Sequence, residues 1–295
     1  MSTPQDPTAT FHRLRPRLQA IAYRMLGSLA EAEEIVQDVW LKWHGQPTDE
    51  VDNAEAWLVS VATRTSIDRL RAARVEREHY QGIWLPEPLV SDSPPTPEEL
   101  LERADQISLG LLALLERLTP ESRAAFLLRE VFDVDYADVA RLMAKSEAAC
   151  RQLVSRARTQ LAEGQARFTV TPEKHDRLVA RFAEAMGGGD FAALQGLLAE
   201  DATLTGDGGG KVISFPKPLV GSRRIAQLFF AAHRRYGPRV RVEFARINGQ
   251  CGLLRFVDGQ LESAQSFETD GSRILSILVQ RNPDKLQRIP RSLLS

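Results

Sequence analysis

The hydrophobic positions of this chain fall into three regimes. From Phe11 to His79 they recur at helical spacing: Leu14, Leu18, Ile21 and Met25 make one stripe, and Ile35, Val36, Val39, Trp40 and Trp43 make a second. A further helix is expected over Ala54–Glu78, with Trp57, Leu58, Val61, Ala62, Ile67 and Leu70 available for packing. From Gln81 to Pro97 the pattern breaks, because five prolines remove backbone donors and forbid a continuous helix, which predicts an extended linker. Helical spacing resumes in the leucine-rich Leu100–Leu118. Pro120 suits the first turn of the next helix, and Glu121–Val131 leads into a helix pair over Asp135–Leu161.

That pair is the most informative stretch. Asp135 is placed to cap the first helix, whose Val139, Ala140 and Met143 share one face, and Ser146 to cap the second. On the second helix Cys150, Leu153, Val154, Ala157 and Leu161 should face inward, leaving Arg151, Gln152, Ser155, Arg156 and Arg158 outward. Guanidinium and amide forks on an exposed helix face bond phosphates and base edges in a major groove, so the pattern suggests a helix-turn-helix. The same spacing also fits an ordinary amphipathic pair with a solvated arginine face.

The last third changes character. Helices are expected over about 173–186 and 190–199, separated by the stop Gly187-Gly188-Gly189, and over about 223–236. Alternating or apolar runs then follow, divided by Asn248-Gly249, Asp258-Gly259 and Asp270-Gly271, dipeptides that favour two-residue hairpin turns. Helices followed by an antiparallel meander describe an α+β half-barrel or cone.

Composition narrows the class. With 295 residues, 43% hydrophobic and 26% charged, the chain can form more than one domain. No run approaches the roughly 20 apolar residues of a spanning helix, and MSTPQDPTAT lacks a secretory layout, so a cytoplasmic protein without membrane contact is expected. Cys150 and Cys251 lie far apart with no metal-ligand spacing; buried free thiols, no metal and no cofactor are expected. A net charge of −1 excludes a wholly basic nucleic-acid coat but not local basic surfaces. The helix over Ala54–Glu78 provides one, with Arg64, Arg69, Arg71, Arg74 and Arg77 in excess of Asp68, Glu76 and Glu78. Such clustering neutralises phosphates, or else is a solvated face.

Three segments carry a family resemblance. EAEEIVQDVWLKWH (residues 31–44) resembles the polymerase-binding helix of sigma-70 σ2 domains, and AEAWLVSVATRTSIDRLRAARVE (54–76) resembles their promoter −10 helix. LTPESRAAFLLREVFDVDYADVARLMAKSEAACRQLVSRAR (118–158) resembles σ4. Two such domains on a short linker resemble the extracytoplasmic-function (ECF) class. WLPEPL (84–89), DGGGK (207–211) and NPDKL (282–286) resemble motifs of the ECF group with a C-terminal SnoaL-like extension. Two departures stand in σ4: Ala144 replaces a frequent glycine, and Cys150 occupies a core site often β-branched.

The resemblance implies two all-α sigma domains, σ2 over 11–80 and σ4 over 98–168. It further implies a linker over 81–97, an α+β SnoaL-like domain of the nuclear-transport-factor type over 171–286, and a tail over 287–295. It implies a sigma factor rather than an enzyme, with core RNA polymerase (β′ and β subunits) and promoter DNA as partners. Glu34, Gln37 and Asp38 would meet a basic coiled coil on β′, while Trp40 and Trp43 hold their own core. Arg64, Thr65, Ser66, Asp68, Arg69, Arg71 and Arg74 would serve the −10 element, and Arg151, Gln152, Ser155, Arg156 and Arg158 the −35 element.

The three motifs imply contacts that control the factor in cis. Trp84, Leu85, Pro86, Glu87, Pro88 and Leu89 would latch onto the C-terminal domain, or else fold back on σ2 or σ4 to hide Trp84, since an exposed Trp-Leu pair has no use in a mere spacer. Asp207, Gly208, Gly209, Gly210 and Lys211 would permit close backbone approach, and Asn282, Pro283, Asp284, Lys285 and Leu286 would turn and anchor the chain after the last strand. Cones of this type elsewhere enclose cavities and act on small molecules. Here Asp201, Asp207, His233, Tyr236 and Glu243 are the polar candidates, but they show no paired acid and base, and His175 and His233 read as isolated surface histidines. Seven phenylalanines, Phe191, Phe215, Phe229, Phe230, Phe244, Phe256 and Phe267, line a cavity or fill a core equally well. The rival readings are a helix-turn-helix regulator with a ligand-sensing domain, and a SnoaL-like enzyme fused to DNA-binding helices.

Overall fold

A computed structural model describes residues 7–46, 51, 53–91, 107–162 and 170–289. The chain divides into two compact units: Met1–Glu78 with Leu114–Gly164, and His79–Ala113 with Gln165–Ser295.

The first unit is helical. α1 (Pro7–Leu26), α2 (Leu29–His44) and α3 (Ala54–Glu78) pack together. Leu14, Leu18, Ile21 and Met25 are buried, as are Ile35, Val36, Val39 and Trp43, so both periodic stripes face the core. Ser28 caps α2 by accepting from the Glu31 amide. After α4 (Leu109–Leu115), whose last residues enter this unit, α5 (Pro120–Phe126) starts with Thr119 as cap and Pro120 in its first turn. α5 continues into a π-helical turn, Leu127–Val131. α6 (Tyr136–Met143) and α7 (Glu147–Ala162) follow, and α7 packs on both α5 and α6.

The second unit is a seven-stranded sheet with three helices on one face and the linker and short helical segments on the other. α8 (Pro172–Gly188) and α9 (Phe191–Leu197) lead into β2 (Leu198–Asp207) and β3 (Leu219–Val220). α10 (Ser222–Tyr236) precedes the strands β4 (Val240–Ile247), β5 (Gln250–Val257), β6 (Gln260–Thr269) and β7 (Ile274–Gln280), then a short α11 (Pro283–Leu286). With β1 (Val90–Ser91) the strand order is β1-β4-β5-β6-β7-β2-β3. All pairings are antiparallel except β2 with β7.

The two sheet faces bury different partners, because neighbouring residues of a strand point opposite ways. Leu253 and Ile277 face α8, α9 and α10 with Phe182, Phe229 and Phe267, whose rings pack edge to face at 5.0 and 5.4 Å. Leu254 and Leu278 point to the other face, where Leu85, Leu109, Leu286 and Ile289 cover them. Burial on both sides explains why β5 reads as a nearly unbroken apolar run.

Several elements differ from the sequence expectation. The linker is extended where it is described, but it is not a free spacer: Val90 and Ser91 pair with Ile247 and Arg246 as an edge strand, while residues 92–97 lie outside the described residues. The helix expected to reach Ala199 ends at Leu197, and Ala199 lies in β2, which carries no two-residue turn signal because it pairs with β3 across a long loop and with β7 in parallel. α8 runs through Gly187 and Gly188 and stops at Gly189, whose φ of 63° makes the left-handed cap. Asn248-Gly249 and Asp258-Gly259 are two-residue turns with φ of 48°, 79°, 52° and 76°. The third is longer, since Thr269 pairs with Ile274 and the Asp270 carboxylate closes the loop by accepting from the Ser272 and Arg273 amides. His175 is buried, its Nε2 at 2.9 Å from the Cys251 carbonyl, so it is a core histidine and not a surface one.

Candidate nucleic-acid interface and linker seat

The helix-turn-helix is built by local caps. Asp135 accepts from the Asp138 amide at 2.8 Å, and Ser146 accepts from the Ala149 amide at 3.2 Å. Between them Ala144 takes φ 52° and ψ 47°, the left-handed position that glycine fills without side-chain strain. Cys150, Val154, Ala157 and Leu161 are buried and Leu153 is half-buried, while Arg151, Gln152, Ser155, Arg156 and Arg158 are exposed along α7. Within this row Arg151 is held over the Tyr136 ring at 4.5 Å and bonded to Glu147, and Arg158 donates to Glu130 at 3.1 and 2.7 Å. Gln152 and Arg156 lie between these two anchored arginines.

On α2, Glu34, Gln37 and Asp38 are exposed, whereas Trp43 is buried and donates Nε1–H to the Pro7 carbonyl at 2.9 Å. Trp40 packs on Phe11 with ring centroids 4.8 Å apart, so both tryptophans hold the domain's own core. Leu41, 63% exposed, stands four residues after Gln37 on the same face. The sequence reading left it out; its spacing from Gln37 was the available signal.

The residues expected to serve the −10 element divide. Arg69 reaches across to α2, donating to Glu31 at 3.0 Å and Glu34 at 3.1 Å. Arg64 donates to the Leu142 carbonyl at 3.1 Å, at the end of α6 where carbonyls lack helical partners. Arg71 bonds Asp68 at 2.9 Å and Glu121 at 2.5 Å, and the Glu121 bond raises its pKa further. Thr65 is half-buried and accepts from Lys42. Ser66 does not join the exposed row: it is fully buried and its hydroxyl donates to the Ala62 carbonyl at 2.8 Å, because its position falls on the core side of α3. The Arg74 side chain lies outside the described residues.

In the second unit the three motifs meet. Asp207, with 0% exposure, accepts from Tyr80 Oη at 2.6 Å, the Leu85 amide at 3.0 Å, Lys285 Nζ at 2.7 Å and the Gly209 amide at 2.9 Å. Burial, together with the Asp207 bond, pushes the Tyr80 phenol up and keeps it a donor. Lys285 also donates to the Leu85 carbonyl and lies over the Trp84 ring at 4.1 Å. Asn282 caps α11 by accepting from the Asp284 amide and donates to Tyr80 Oη. The buried Gln280 donates to the Leu85 and Pro86 carbonyls, at 3.3 Å each.

The glycines admit this approach. A Cβ on Gly209 would lie 2.4 Å from Asn282 Cγ, and one on Gly210 would lie 2.7 Å from Gln81 Oε1; both residues have φ above 60°. Lys211 pairs with Asp284 at the exposed rim, where the bond contributes little. Leu85, Pro86, Glu87 and Pro88 are buried and Trp84 is half-buried; Glu87 faces Arg288 at 3.6 Å, and Leu89 exchanges bonds with Asn248.

A second attachment was not visible in sequence. Glu268 accepts from Ser108 Oγ at 2.9 Å and from the Gly110 amide at the start of α4. Burial pushes its carboxyl up, opposed by those hydrogen bonds and by His175. The C-terminal sheet therefore holds the chain on both sides of residues 92–106.

The enzyme candidates are dispersed. Asp207 belongs to the seat, Glu243 pairs with Arg241, and Asp201 is exposed. His233 lines a cavity of about 160 Å³ with Met186, Phe229, Val242 and Arg255, and no carboxylate lines it. Of the phenylalanines, Phe229, Phe256 and Phe267 fill cores, while Phe244 is 56% exposed. Cys150 and Cys251 are buried free thiols; burial pushes Cys251 up to about 11. Among the described residues no helix is long and apolar enough to cross a membrane.

Comparison with known proteins gives this arrangement its class. A family model for sigma-70 region 2 matches residues 10–75, and one for sigma-70 region 4 matches residues 108–161. The ECF RNA polymerase sigma factor SigJ of Mycobacterium tuberculosis is 35% identical, covering 95% of this chain and 93% of its own. The probable ECF RNA polymerase sigma factor SigI of the same species is 28% identical over 97% of each chain. The crystal structure of the M. tuberculosis ECF sigma factor SigJ superposes with a TM-score of 0.79 at 32% identity, covering 96% of this chain and 99% of that one. The chain belongs to the ECF RNA polymerase sigma factors, in the group with a SnoaL-like C-terminal domain. It binds core RNA polymerase and promoter DNA to initiate transcription, and sigma factors are not a class of enzymes.

Proposed function

We propose that α7 reads the −35 element through Arg151, Gln152, Ser155, Arg156 and Arg158, and that α3 serves the −10 element through Arg64, Thr65, Asp68, Arg69, Arg71 and Arg74. The carrying observation is the opposition on α7 of an apolar face, buried at Cys150, Val154, Ala157 and Leu161, and an exposed basic-amide face. Arg64 and Arg71 are occupied by the Leu142 carbonyl and Glu121, both on the σ4 side, so promoter DNA replaces protein acceptors at these arginines. Phosphate is the stronger acceptor for a guanidinium than a carbonyl, which favours the exchange.

Core polymerase meets Glu34, Gln37 and Asp38, with Leu41 adding apolar area on the same face. Asp38→Arg is expected to weaken core binding by roughly tenfold or more, because it reverses charge against a basic partner. Titration of labelled core polymerase measures it, with run-off transcription from the region upstream of the protein's own gene as the functional readout. Unchanged core affinity would remove Asp38 from the interface.

The C-terminal domain controls the factor in cis by holding both ends of the linker, through Asp207 at Leu85 and Glu268 at Ser108 and Gly110. A chain ending just before Asn282 loses Lys285 and Leu286 from the seat and is expected to give a changed transcript yield. Equal yields from the full and shortened chains count against control in cis.

A further inference from the structure

One helix of the C-terminal domain carries a surface that neither the fold nor the linker seat uses. α10 is amphipathic: Ile225, Ala226 and Phe229 are buried, and Arg223, Arg224, Gln227, Ala231, Arg234 and Arg235 are exposed. At about 100° per residue these six exposed positions fall within an arc of roughly 120°. Four of the six are arginines, and α10 contains no aspartate or glutamate.

Their charge is also uncommitted. Some exposed arginines elsewhere have carboxylate partners, as Arg69 has Glu31 and Glu34, Arg158 has Glu130, and Arg239 has Asp258, while others, such as Arg156 in the exposed row of α7, form no ion pair among the described residues. Among the described residues Arg223, Arg224, Arg234 and Arg235 form no ion pair; Arg235 only stacks on Tyr236, its guanidinium 5.3 Å from the ring centre. Two of the four sit in the first turn, where the positive end of the helix dipole disfavours cations. Folding gains nothing from that placement, whereas an anion laid along the face offsets it.

We propose that this face of α10 binds the phosphate backbone of duplex DNA flanking the promoter elements, so that the C-terminal domain contributes its own contact to promoter binding. All four cations are arginines, whose planar fork bonds phosphate oxygens in pairs where lysine gives a point charge. The pairs Arg223/Arg224 and Arg234/Arg235 are about 17 Å apart along the helix, the length of about five phosphates on one strand at 3.4 Å each. Gln227 and Ala231 between them leave the face low enough for a rod-shaped polyanion to lie across it.

The test uses the full chain bound to core polymerase and a long duplex from upstream of its own gene, titrated at several salt concentrations. Replacing all four arginines by glutamine (R223Q/R224Q/R234Q/R235Q) is expected to make the slope of log affinity against log salt shallower by about 2–4, since each phosphate contact contributes about 0.9. The four-lysine counterpart is expected to retain most of the slope. It also guards against misfolding, as does the circular dichroism melt of each variant, which is expected to stay unchanged for these exposed positions. An unchanged slope in the glutamine variant overturns the proposal, as does a lysine variant that fails equally. Two other outcomes also overturn it when the DNA slope is unchanged. Weaker binding to core polymerase would make the face a protein contact, and lost binding to phosphatidylserine vesicles would make it a lipid-surface contact.

Discussion

Asp207→Ala is expected to destabilise the C-terminal unit by about 3–5 kcal/mol, the usual cost of removing one partner from a buried ion pair. The carboxylate is fully buried, and the Lys285 ammonium against it is 12% exposed. Without it the ammonium keeps the Leu85 carbonyl but loses its counter-charge, and the Leu85 amide, Tyr80 hydroxyl and Gly209 amide lose an acceptor. Water cannot take over without opening the Trp84–Leu85 seat. Chemical denaturation of the full chain measures the loss, and hydrogen exchange at the Leu85 amide reports where it occurs. Asp207→Asn keeps the shape but turns an amide towards the ammonium, so it should fall between alanine and wild type. A midpoint unchanged in Asp207→Ala would mean that the seat carries no stability, and control through it would fall with that result.

Arg123→Ala is the second large effect, again about 3–5 kcal/mol, this time in the helical unit. Arg123 on α5 is 2% exposed and donates Nε and Nη2 to the Arg24 carbonyl at 3.1 and 2.9 Å, while Nη1 pairs with Glu116. Burial pulls its pKa down and the adjoining Glu116 opposes this, so the charge is kept by its partner. Arg24 ends α1 and Arg123 belongs to σ4, so this guanidinium joins the two sigma domains. Truncation leaves Glu116 with Arg77 alone and the Arg24 carbonyl without its two donors. Arg123→Met, which refills the volume without a charge, should recover part of the loss. A double-mutant cycle with Glu116→Ala measures the pair, and a coupling near zero would show that the ion pair contributes nothing beyond packing.

Both sites show how unevenly the fold could be read from sequence. The sigma helices were legible because their information is local. Thr119, Asp135 and Ser146 cap the helices they precede, and the apolar spacing of α1, α2 and α7 names the buried face without knowledge of what covers it. The same holds for Asn248-Gly249 and Asp258-Gly259, where positive φ at both central residues is a property of two residues. β2 was missed because its partners, β7 and β3, are a parallel neighbour from the far end of the domain and a strand of two residues. Ser66 was misplaced because motif resemblance marks a helix but not the side of it that faces the core.

The linker motifs were partly legible. An apolar Trp-Leu pair among prolines required a cover, and a glycine run suggested close approach. Which atoms meet was not, since Asp207 bonds Tyr80, Leu85 and Lys285 across 127, 122 and 78 residues of chain. Tyr80, Gln280 and Glu268 carried no motif at all.

From the sequence alone came the class of protein, the helices and their buried faces, and the outward rows on α2, α3 and α7, because caps, periodicity and turn dihedrals depend on residues within a few positions of one another. Only the tertiary structure decided that the linker is an edge strand and buried plug of the C-terminal sheet, and which arginines already hold protein acceptors. It also decided which arginines, on α10, are free for another anion. Those outcomes depend on desolvated charges finding partners over long chain separations, and no local pattern of residues encodes the pairing.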